Sequence, residues 1–356
     1  MGEQDSATST TGTAPATGRG PVGGVIEDGR PIRVGLIGLG AMGRHHARVI
    51  RAVEGMELVA VADPVGDRHG VAGDLPVLPD VHALIEAGLD AAMVAVPTYL
   101  HEQVALALAQ AGVHTMVEKP IAATVEEGER VAEAFARAGL VGCVGYVERC
   151  NPALLAMRER IEAGQLGTVY QITTSRQGPF PARIADVGVV KDLATHDIDL
   201  TAWIARSSYV QVSAQTTHRT GREHEDMVLA VARLANGTIV NHIVNWLSPR
   251  KVRETVAVGE NGAFIANTLT GDLTFVANGT VPTQWDPVSQ FRGVSEGDAI
   301  TYALTKREPL LVEQENFRDR LWGRPSQAVT MDEGVQTLRV VEAVLDAART
   351  GTTITL

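Results

Sequence analysis

The sequence of 356 residues predicts two α/β domains, the first with a doubly wound parallel sheet and the second with an antiparallel sheet. The first prediction comes from residues 33–150, where short β-branched runs alternate with longer stretches of helical periodicity. The second comes from the region after Asn151, where several strands follow one another through short turns such as ANG and ENG. Length supports the division, because 356 residues exceed the usual size of one hydrophobic core.

The elements of the first domain alternate strictly. Its predicted strands are RVGLIG, ELVAVAD, AAMVAVP, HTMVEKP and LVGCVGY. The predicted helices follow GLGAMG, His101 and Thr124. Such alternation predicts a parallel sheet that is covered by helices on both faces.

The second domain begins with a helix after Asn151 and the strand TVYQITTSR. The charged segment KDLATHDIDL follows, and then come the strands YVQVSAQTTH, DMVLAVARL, TIVNHIVNW, VRETVAVG and LTFVA. Apolar residues at helical spacing, with acidic residues in the first turn, predict a C-terminal helix at residues 331–349. A short TITL strand ends the chain.

Residues 1–30 are rich in Ser, Thr, Gly, Pro and Ala and predict a disordered tail. The expected domains are therefore residues 31–150 and residues 151–356. The net charge of -11 disfavours nucleic acid or an anionic membrane surface as a partner and favours a small ligand.

The two cysteines, Cys143 and Cys150, lack the paired spacing of a zinc site or redox dithiol and are expected to be reduced. No apolar run approaches the ~20 residues that span a bilayer, and the first thirty residues do not resemble a signal peptide. We expect a cytoplasmic protein.

The motif GLGAMG lies between the first strand and the first helix. Its glycines allow a tight turn, close approach of a pyrophosphate to the backbone, and packing of the helix on the strand. Asp63 ends ELVAVAD, 20 residues past Gly43, where a carboxylate can accept the ribose 2′-hydroxyl of NAD and would repel the 2′-phosphate of NADP. The pattern therefore predicts an NAD-binding loop, although Arg68 lies nearby.

Polar residues that follow the carboxyl ends of strands are candidates for ligand contacts in doubly wound sheets. AAMVAVPTYLH places Pro97, Thr98 and His101 beyond one strand, and HTMVEKP places Glu118 and Lys119 at the end of the next. His45, His46 and His101 are more typical of capping or packing than of catalysis.

KDLATHDIDL carries an unusual density of charge in an apolar-rich region. If residues 192–205 form a helix, Asp192, His196 and Asp199 lie on one stripe beside an apolar face. A neutral imidazole, with an ordinary pKa near ~6.5, suits removal of an alcohol proton. Other interpretations are an N-cap for Asp192 and a solvated or structural role for Asp197 and Asp199. A zinc site is disfavoured because no third or fourth ligand is apparent.

Together, the motifs GLGAMG, AD at Ala62–Asp63, EKP at Glu118–Pro120 and DLATHDID at Asp192–Asp199 resemble the glucose-fructose oxidoreductase, inositol dehydrogenase and rhizopine catabolism (Gfo/Idh/MocA) family. The likeness covers residues 33–356. It implies NAD(P)-dependent dehydrogenase activity, an N-terminal Rossmann domain, and a C-terminal α/β domain whose large, open, mainly antiparallel sheet mediates oligomerisation. It also implies that Lys119, Asp192 and His196 are catalytic. In YVERCNPA, Cys150 replaces the family's usual aromatic between Arg149 and Asn151.

The run GPFPARIADVGVVKDLATHDID is similar to the UDP-N-acetylglucosamine 3-dehydrogenase branch of that family. Guanidinium groups suit phosphate oxygens, so Arg176 and Arg183 are expected to hold a nucleotide-sugar diphosphate. The predicted cofactor-binding residues are Gly38, Gly40, Ala41, Met42, Gly43, Asp63, Arg68, Val96, Pro97, Thr98, His101, Glu118 and Lys119. The predicted substrate-binding residues are Lys119, Tyr146, Arg149, Asn151, Arg176, Arg183, Asp192, Thr195 and His196. No metal site is predicted.

The predicted reaction is NAD-dependent oxidation of a ring secondary alcohol of a sugar to a ketone, at the 3-hydroxyl of a UDP-hexose such as UDP-N-acetylglucosamine. His196 would accept the hydroxyl proton, Lys119 would polarise the oxygen and Asp192 would orient them, although Lys119 could instead take the proton. By analogy, the ketone would precede transamination in amino-sugar or antibiotic biosynthesis.

Three alternatives remain from the sequence. One is oxidation of inositols or of free or phosphorylated sugars, or reduction of the corresponding ketones. Another is an NAD-dependent glycosidase that oxidises C3 transiently. A regulator that senses NAD is disfavoured, because no basic helix-turn-helix segment is visible. A homodimer or homotetramer is expected, without a nucleic-acid or membrane partner.

Overall fold

A computed structural model of the chain describes residues 26–180, 187–279 and 296–356. Two sheets, of seven and nine strands, organise these residues. The first sheet contains β1 (Ile32–Ile37), β2 (Met56–Ala62), β3 (Val77–Leu78), β4 (Ala91–Val94), β5 (His114–Glu118), β6 (Gly142–Gly145) and β15 (Val329–Thr330). Its covering helices include α1 (Gly43–Ala52), α2 (Val81–Glu86), α3 (His101–Gln110) and α4 (Val125–Ala138).

The strand order of the first sheet is β15-β6-β5-β4-β1-β2-β3. Strands β1 to β6 pair in parallel, and β15 joins β6 in the antiparallel direction. The chain runs outward from β1 in both directions, so the order reverses between β1 and β4. Ligands of doubly wound sheets bind outside the carboxyl ends of the strands at such a switch point.

The second sheet follows the order β14-β13-β12-β11-β7-β10-β9-β8-β16. Its strands are β7 (Val169–Pro179), β8 (Tyr209–Thr217), β9 (Met227–Leu234), β10 (Ile239–Asn245), β11 (Leu247–Gly259), β12 (Gly262–Asn267), β13 (Asp272–Asn278), β14 (Glu296–Thr301) and β16 (Ile354–Thr355). Only the β7–β10 pair among them is parallel. The predicted fold class, a doubly wound sheet followed by a mainly antiparallel one, is confirmed.

One face of the second sheet packs against α5 (Pro152–Glu162), α6 (Thr195–Ala205) and α8 (Met331–Thr350). The other face is open. In β9, buried Val228 and Ala230 alternate with Leu229 and Val231, whose exposed fractions are 44% and 55%. The period-2 alternation that predicts a half-buried strand thus decides which side chains line the open face.

Residues outside the predicted first domain, 31–150, pack against its core. The helix α7 (Pro309–Leu321), which the sequence did not indicate, buries Phe317 and Leu321 in one core with β1 and β2. Ile26, assigned to the tail, is buried, and its N–H donates to the carbonyl of Leu321 over 3.2 Å. Helical periodicity cannot reveal which sheet a helix will cover. Residues 1–25 of the predicted tail lie outside the described residues.

Both cysteines are buried and unpaired, and burial raises the pKa of the Cys143 thiol to about 12. Within the described ranges, no helix has the length and apolar character needed to cross a membrane.

Candidate active site

The turn between β1 and α1 contains two glycines that larger residues could not replace. Gly38 has a φ of 93°, and a Cβ there would lie 2.5 Å from the carbonyl oxygen of Ala95. A Cβ at Gly43 would lie 1.9 Å from the carbonyl oxygen of Gly38. These contacts provide the tight turn and the close helix–strand packing of a dinucleotide-binding loop.

Gly40 is different, because no contact within the described chain requires glycine there. It is exposed, and a Cβ would meet none of the described atoms within 4 Å. Met42, the N-cap residue of α1, gives no side-chain hydrogen bond to the first backbone N–H groups of the helix. Open backbone at a helix N-terminus fits a pyrophosphate, so these residues fit the predicted dinucleotide.

Asp63 follows β2 and is fastened to the same loop. Its Oδ2 accepts the backbone N–H of Leu39 over 2.8 Å, and its Oδ1 accepts that of Val65 over 2.8 Å. Each carboxylate oxygen can accept a further hydrogen bond, and the side chain is partly exposed. The geometry is compatible with the predicted ribose contact. Arg68 and Ala41 are exposed nearby.

His101, a predicted cofactor-binding residue, lies inside the protein in this structure. Its ring is buried, with Nδ1 at 2.8 Å from the Pro120 carbonyl oxygen and Nε2 at 3.0 Å from that of Val96. Burial lowers the pKa of His101, whereas its hydrogen bonds to the Pro120 and Val96 carbonyls raise it. His101 thus joins the segment after β4 to the segment after β5, and its predicted cofactor contact stays a prediction. Pro97 is exposed and Thr98 is partly exposed at the same sheet end.

Glu118 is likewise an internal residue. Its Oε1 lies 2.7 Å from His46 Nε2, and its Oε2 accepts the backbone N–H of Lys119 over 3.1 Å. Burial alone would raise the pKa of Glu118, but the His46 hydrogen bond and the charges of His46 and Lys119 lower it. Both oxygens have partners inside the protein, and the predicted cofactor contact of Glu118 stays a prediction.

The sequence analysis assigned His46 to packing and did not identify α7, which reaches the same cluster. Gln314 of α7 donates from Nε2 to His46 Nδ1 over 3.2 Å. Glu313, beside it, is buried, and neither of its carboxyl oxygens has a partner among the described residues. Burial and the charge of Glu118 raise the pKa of Glu313 well above its ordinary value. The sequence did not indicate this cluster, because α1, EKP and α7 are far apart in the chain.

Lys119 and Asp192 meet at the carboxyl end of β5. The Lys119 Nζ donates to Asp192 Oδ1 over 3.1 Å and to the backbone carbonyl of Asp192 over 2.7 Å. Both side chains are largely buried, with exposed side-chain fractions of 17% and 10%. The structure therefore brings two predicted catalytic residues into one ion pair.

The predicted helix from Asp192 is corrected in its first turn. Residues Val190–Ala194 form a π-helical turn, and the α-helical geometry of α6 begins at Thr195. Asp192 and His196 are therefore not related by a regular α-helical turn. Single π-helical turns inside helices are frequent at functional sites, where the extra residue redirects neighbouring side chains.

His196 is partly exposed and lies next to this pair. Its Nδ1 is buried and, like Asp192 Oδ2, has no partner among the described residues. Burial lowers its pKa well below the ordinary value, and the charges of Lys119, Arg176 and Arg253 act in the same direction. A neutral imidazole beside an ammonium group can accept a proton from a hydroxyl that the ammonium polarises.

Tyr146 and Thr195 support this histidine from the interior. The Tyr146 hydroxyl lies 3.0 Å from Thr195 Oγ1, and both side chains are buried. The Tyr146 ring stands edge-on to the His196 ring, with 6.1 Å between centroids. Tyr146 and Thr195 thus bind each other in this structure, and their predicted substrate contacts stay predictions.

Arg149 and Asn151 are also used internally. Arg149 donates from Nε and Nη2 to the two Asp199 oxygens over 2.7 and 2.5 Å, and from Nη1 to Glu333 over 2.8 Å. Asn151 caps α5 through the N–H of Ala153 and donates to the Thr268 carbonyl over 3.0 Å. Partners within the chain thus hold both side chains, and their predicted substrate contacts stay predictions.

Arg176, a predicted phosphate ligand, is paired with carboxylates inside the protein in this structure. It is buried, and it donates from Nε to Asp197 Oδ1 over 2.9 Å and from Nη1 to Glu148 Oε1 over 2.7 Å. Two carboxylates thus neutralise its charge. The other predicted phosphate ligand, Arg183, lies outside the described residues.

Comparison with known proteins fits this geometry. The sequence model described as "Oxidoreductase family, NAD-binding Rossmann fold" matches residues 32–146, and the "GFO/IDH/MocA C-terminal domain" matches residues 154–265. The chain belongs to the Gfo/Idh/MocA family. The predicted family, oxidoreductase class and NAD cofactor are confirmed.

Among relatives of this Gfo/Idh/MocA protein, the UDP-N-acetylglucosamine 3-dehydrogenase of Acidithiobacillus ferrooxidans is 30% identical over 88% of the chain and 95% of the relative. Its solved structure matches with a TM-score of 0.76 and 26% identity, over 90% of this chain and 98% of that one. The WlbA dehydrogenase of Bordetella pertussis, solved with NADH and UDP-GlcNAcA, matches with a TM-score of 0.74 and 25% identity, over 92% and 99%. Inositol 2-dehydrogenase 2 of Saccharopolyspora erythraea is 33% identical, over 59% of this chain and 65% of that one.

Proposed function

We propose that this protein oxidises a ring secondary alcohol of a nucleotide sugar to a ketone, at the 3-hydroxyl of a UDP-hexose such as UDP-N-acetylglucosamine. The observation that carries the proposal is the cluster of Lys119, Asp192 and His196 beside the end of β5. Nearly full-length similarity to a UDP-N-acetylglucosamine 3-dehydrogenase supports the substrate class.

In the proposed reaction, the carbinol carbon loses its hydrogen as hydride and the hydroxyl loses its proton. NAD, when bound, supplies the hydride acceptor. His196 accepts the proton, because burial lowers its pKa and the neutral form of the ring has an available lone pair. Lys119 donates a hydrogen bond to the developing alkoxide, and Asp192 holds the ammonium in place.

The alternative assignment gives the proton to Lys119. The Lys119 Nζ already donates to Asp192 Oδ1 and to the Asp192 backbone carbonyl, and an ammonium group has no lone pair to accept a proton. The ion pair with Asp192 therefore supports His196 as the base.

The test is to incubate the protein with NAD and follow NADH absorbance with UDP-, GDP- and dTDP-sugars, inositols and sugar phosphates. Oxidation of UDP-N-acetylglucosamine, with a 3-keto product identified by mass spectrometry and NMR after borodeuteride reduction, is expected. His196→Asn, which preserves polarity without a comparable base, should retain NAD binding and lose turnover by about 10²-fold or more.

A second candidate substrate class is the inositols, which the match to an inositol 2-dehydrogenase favours. NADH formation with myo-inositol, but with none of the nucleotide sugars, would replace the proposed substrate. Release of UDP or free sugar without net NADH would instead indicate a glycosidase.

We also infer a homodimer or homotetramer that buries the open face of the second sheet. Leu229, Val231 and Val258 are exposed there, with fractions of 44%, 55% and 36%. Apolar side chains in this number favour burial by a second copy. Sedimentation at micromolar concentration tests this, with Leu229→Glu expected to yield monomers. A cytoplasmic location remains part of the proposal.

A further inference from the structure

The sequence PRKVR in β11 is a basic run in a chain of net charge -11. It coincides with an irregularity of the strand: Leu247 pairs with Pro179 and Val252 with Gln177 of β7. Residues 248–251 therefore face one residue, Gly178, so β11 bulges at this point. Bulges are frequent next to active sites, where they redirect side chains.

Arg253 follows the bulge and pairs across the strands with Arg176. Directly opposed side chains of like charge destabilise a sheet unless other groups neutralise them. Asp197 and Glu148 neutralise Arg176, whereas no described carboxylate lies within 4.0 Å of the Arg253 guanidinium. The structure thus leaves one charge of this pair without a directly bonded counter-charge.

The orientation of Arg253 is nevertheless fixed. Its Nη1 donates to the backbone carbonyls of Gln177 and Val252, each over 2.7 Å. Burial and the charge of Arg176 lower its pKa, while Asp197, Glu148 and Asp192 act in the opposite direction. Arg253 is therefore held against β7 opposite Arg176, with Nε and Nη2 free of hydrogen-bond partners among the described residues.

Lys251 stands beside it on the bulge. Its side chain is exposed, and its Cγ lies 3.8 Å from the position of a Cβ at Gly178. Neither Lys251 nor Arg250 forms an ion pair with any described residue. The bulge thus places two further positive residues, Arg250 and Lys251, opposite Gly178 near the C-terminal end of β7.

We propose that Arg253 and Lys251 form the subsite that holds the phosphoryl oxygens of the substrate's nucleoside diphosphate. This inference rests on the proposed function and takes over the task that the sequence assigned to Arg176. A planar guanidinium and a mobile ammonium suit phosphate oxygens. They also offset the repulsion that a chain of charge -11 exerts on a dianionic ligand.

The test compares Arg253→Gln and Lys251→Gln with Arg137→Gln, a matched loss of one charge on α4, where the side chain is 69% exposed. The full chain is used with NAD and UDP-N-acetylglucosamine. For Arg253→Gln, the KM should rise at least ~10-fold and the inhibition constant of UDP should rise in parallel, while kcat stays within about 3-fold. Lys251→Gln should show the same pattern to a smaller extent, and Arg137→Gln should show none.

Unchanged KM and UDP inhibition in both β11 variants would overturn the subsite and leave the proposed function standing. Retained affinity for UDP, with affinity lost only for glucose 1-phosphate or glucuronate, would also overturn it, since the anion would then not be a nucleoside diphosphate. If no UDP-sugar is oxidised, UDP titration of the NADH complex by calorimetry still decides: weaker UDP binding in Arg253→Gln supports the subsite even though the proposed reaction fails. Because Lys251 is exposed, its variant keeps the test valid if Arg253→Gln does not fold.

Discussion

Lys119 donates two hydrogen bonds to the single residue Asp192, one to the carboxylate over 3.1 Å and one to the backbone carbonyl over 2.7 Å. Lys119 follows β5 of the first sheet, and Asp192 lies between β7 and β8 of the second sheet. The two residues are 73 positions apart in the chain. The ammonium is therefore placed by the packing of the two domains. One contact of Lys119 depends on the Asp192 side chain, and the other, to the backbone carbonyl, does not.

The change Asp192→Asn should separate these contacts. The amide retains the shape of the side chain and the carbonyl contact to Lys119, but it removes the negative charge. We expect kcat to fall by about 10²-fold while the Kd for NAD changes little, because the cofactor loop does not contact Asp192. Steady-state kinetics and NADH fluorescence titration measure the two effects. A wild-type kcat would show that the carboxylate is dispensable.

The pH dependence of kcat/KM tests His196 as the base. The charged or titratable groups around its ring are Lys119, Asp192, Tyr146, Arg176 and Arg253. Burial and the three cationic charges lower the pKa of His196 well below its ordinary value. The neutral form, which accepts protons, therefore persists to lower pH, so activity should fall only below about pH 6.5.

Rates measured between about pH 5 and about pH 8 should locate this acid limb. Arg253→Gln removes one of the charges that lower the pKa and should move the limb upward, whereas Arg137→Gln should leave it in place. A limb above the ordinary histidine range in the wild type would be inconsistent with His196 as the base.

His46 is expected to be a positioning residue for Lys119. His46→Ala would leave Glu118 Oε1 buried without its 2.7 Å partner, at a cost of about 1–3 kcal/mol. The melting temperature and kcat should both fall, because Glu118 also holds the Lys119 backbone. His46→Gln can restore a hydrogen-bond donor to Glu118 Oε1 near the position of His46 Nε2. This variant should return kcat toward the wild-type value and should change KM less. The neighbouring His45→Ala, at a partly exposed site, is the matched control.

Two glycines of the first loop should respond differently to alanine. Gly40→Ala meets open space in the described structure, so stability should stay within about 0.5 kcal/mol while the Kd for NAD rises about 10-fold or more. Gly38→Ala would strain a φ of 93° and approach a carbonyl at 2.5 Å, so it should lower the melting temperature. Thermal denaturation with and without NAD distinguishes them. Equal NAD affinity in Gly40→Ala and the wild type would argue against a pyrophosphate at that position.

Asp199 should prove structural. Its carboxylate is buried against Arg149, and Asp199→Asn would leave that guanidinium with only Glu333 as a charged partner. Removing one member of a buried pair costs about 3–5 kcal/mol, so chemical denaturation should show a loss of this order. At temperatures where the variant is folded, kcat should remain near that of the wild type. A selective loss of kcat would instead place Asp199 in the reaction.

Local pattern alone determined much of this protein. Strand–glycine–helix alternation specified the parallel sheet and the cofactor loop, because turns, period-2 strands and helix termini depend on neighbouring residues. The spacing of Gly43 and Asp63 likewise anticipated a carboxylate attached to the loop. The charge of KDLATHDIDL marked the segment that meets Lys119.

The tertiary structure decided the assignments that depend on distant partners. Arg176, Arg149 and Glu118 carry charges that suit ligands, yet Asp197, Asp199 and His46 bind them inside the protein. Arg253 had no signal in the sequence, because its importance follows from a bulge that places it opposite Arg176. The sequence identifies which residues bear charge, but the free energy of a buried charge depends on the partners that folding brings within a few ångströms.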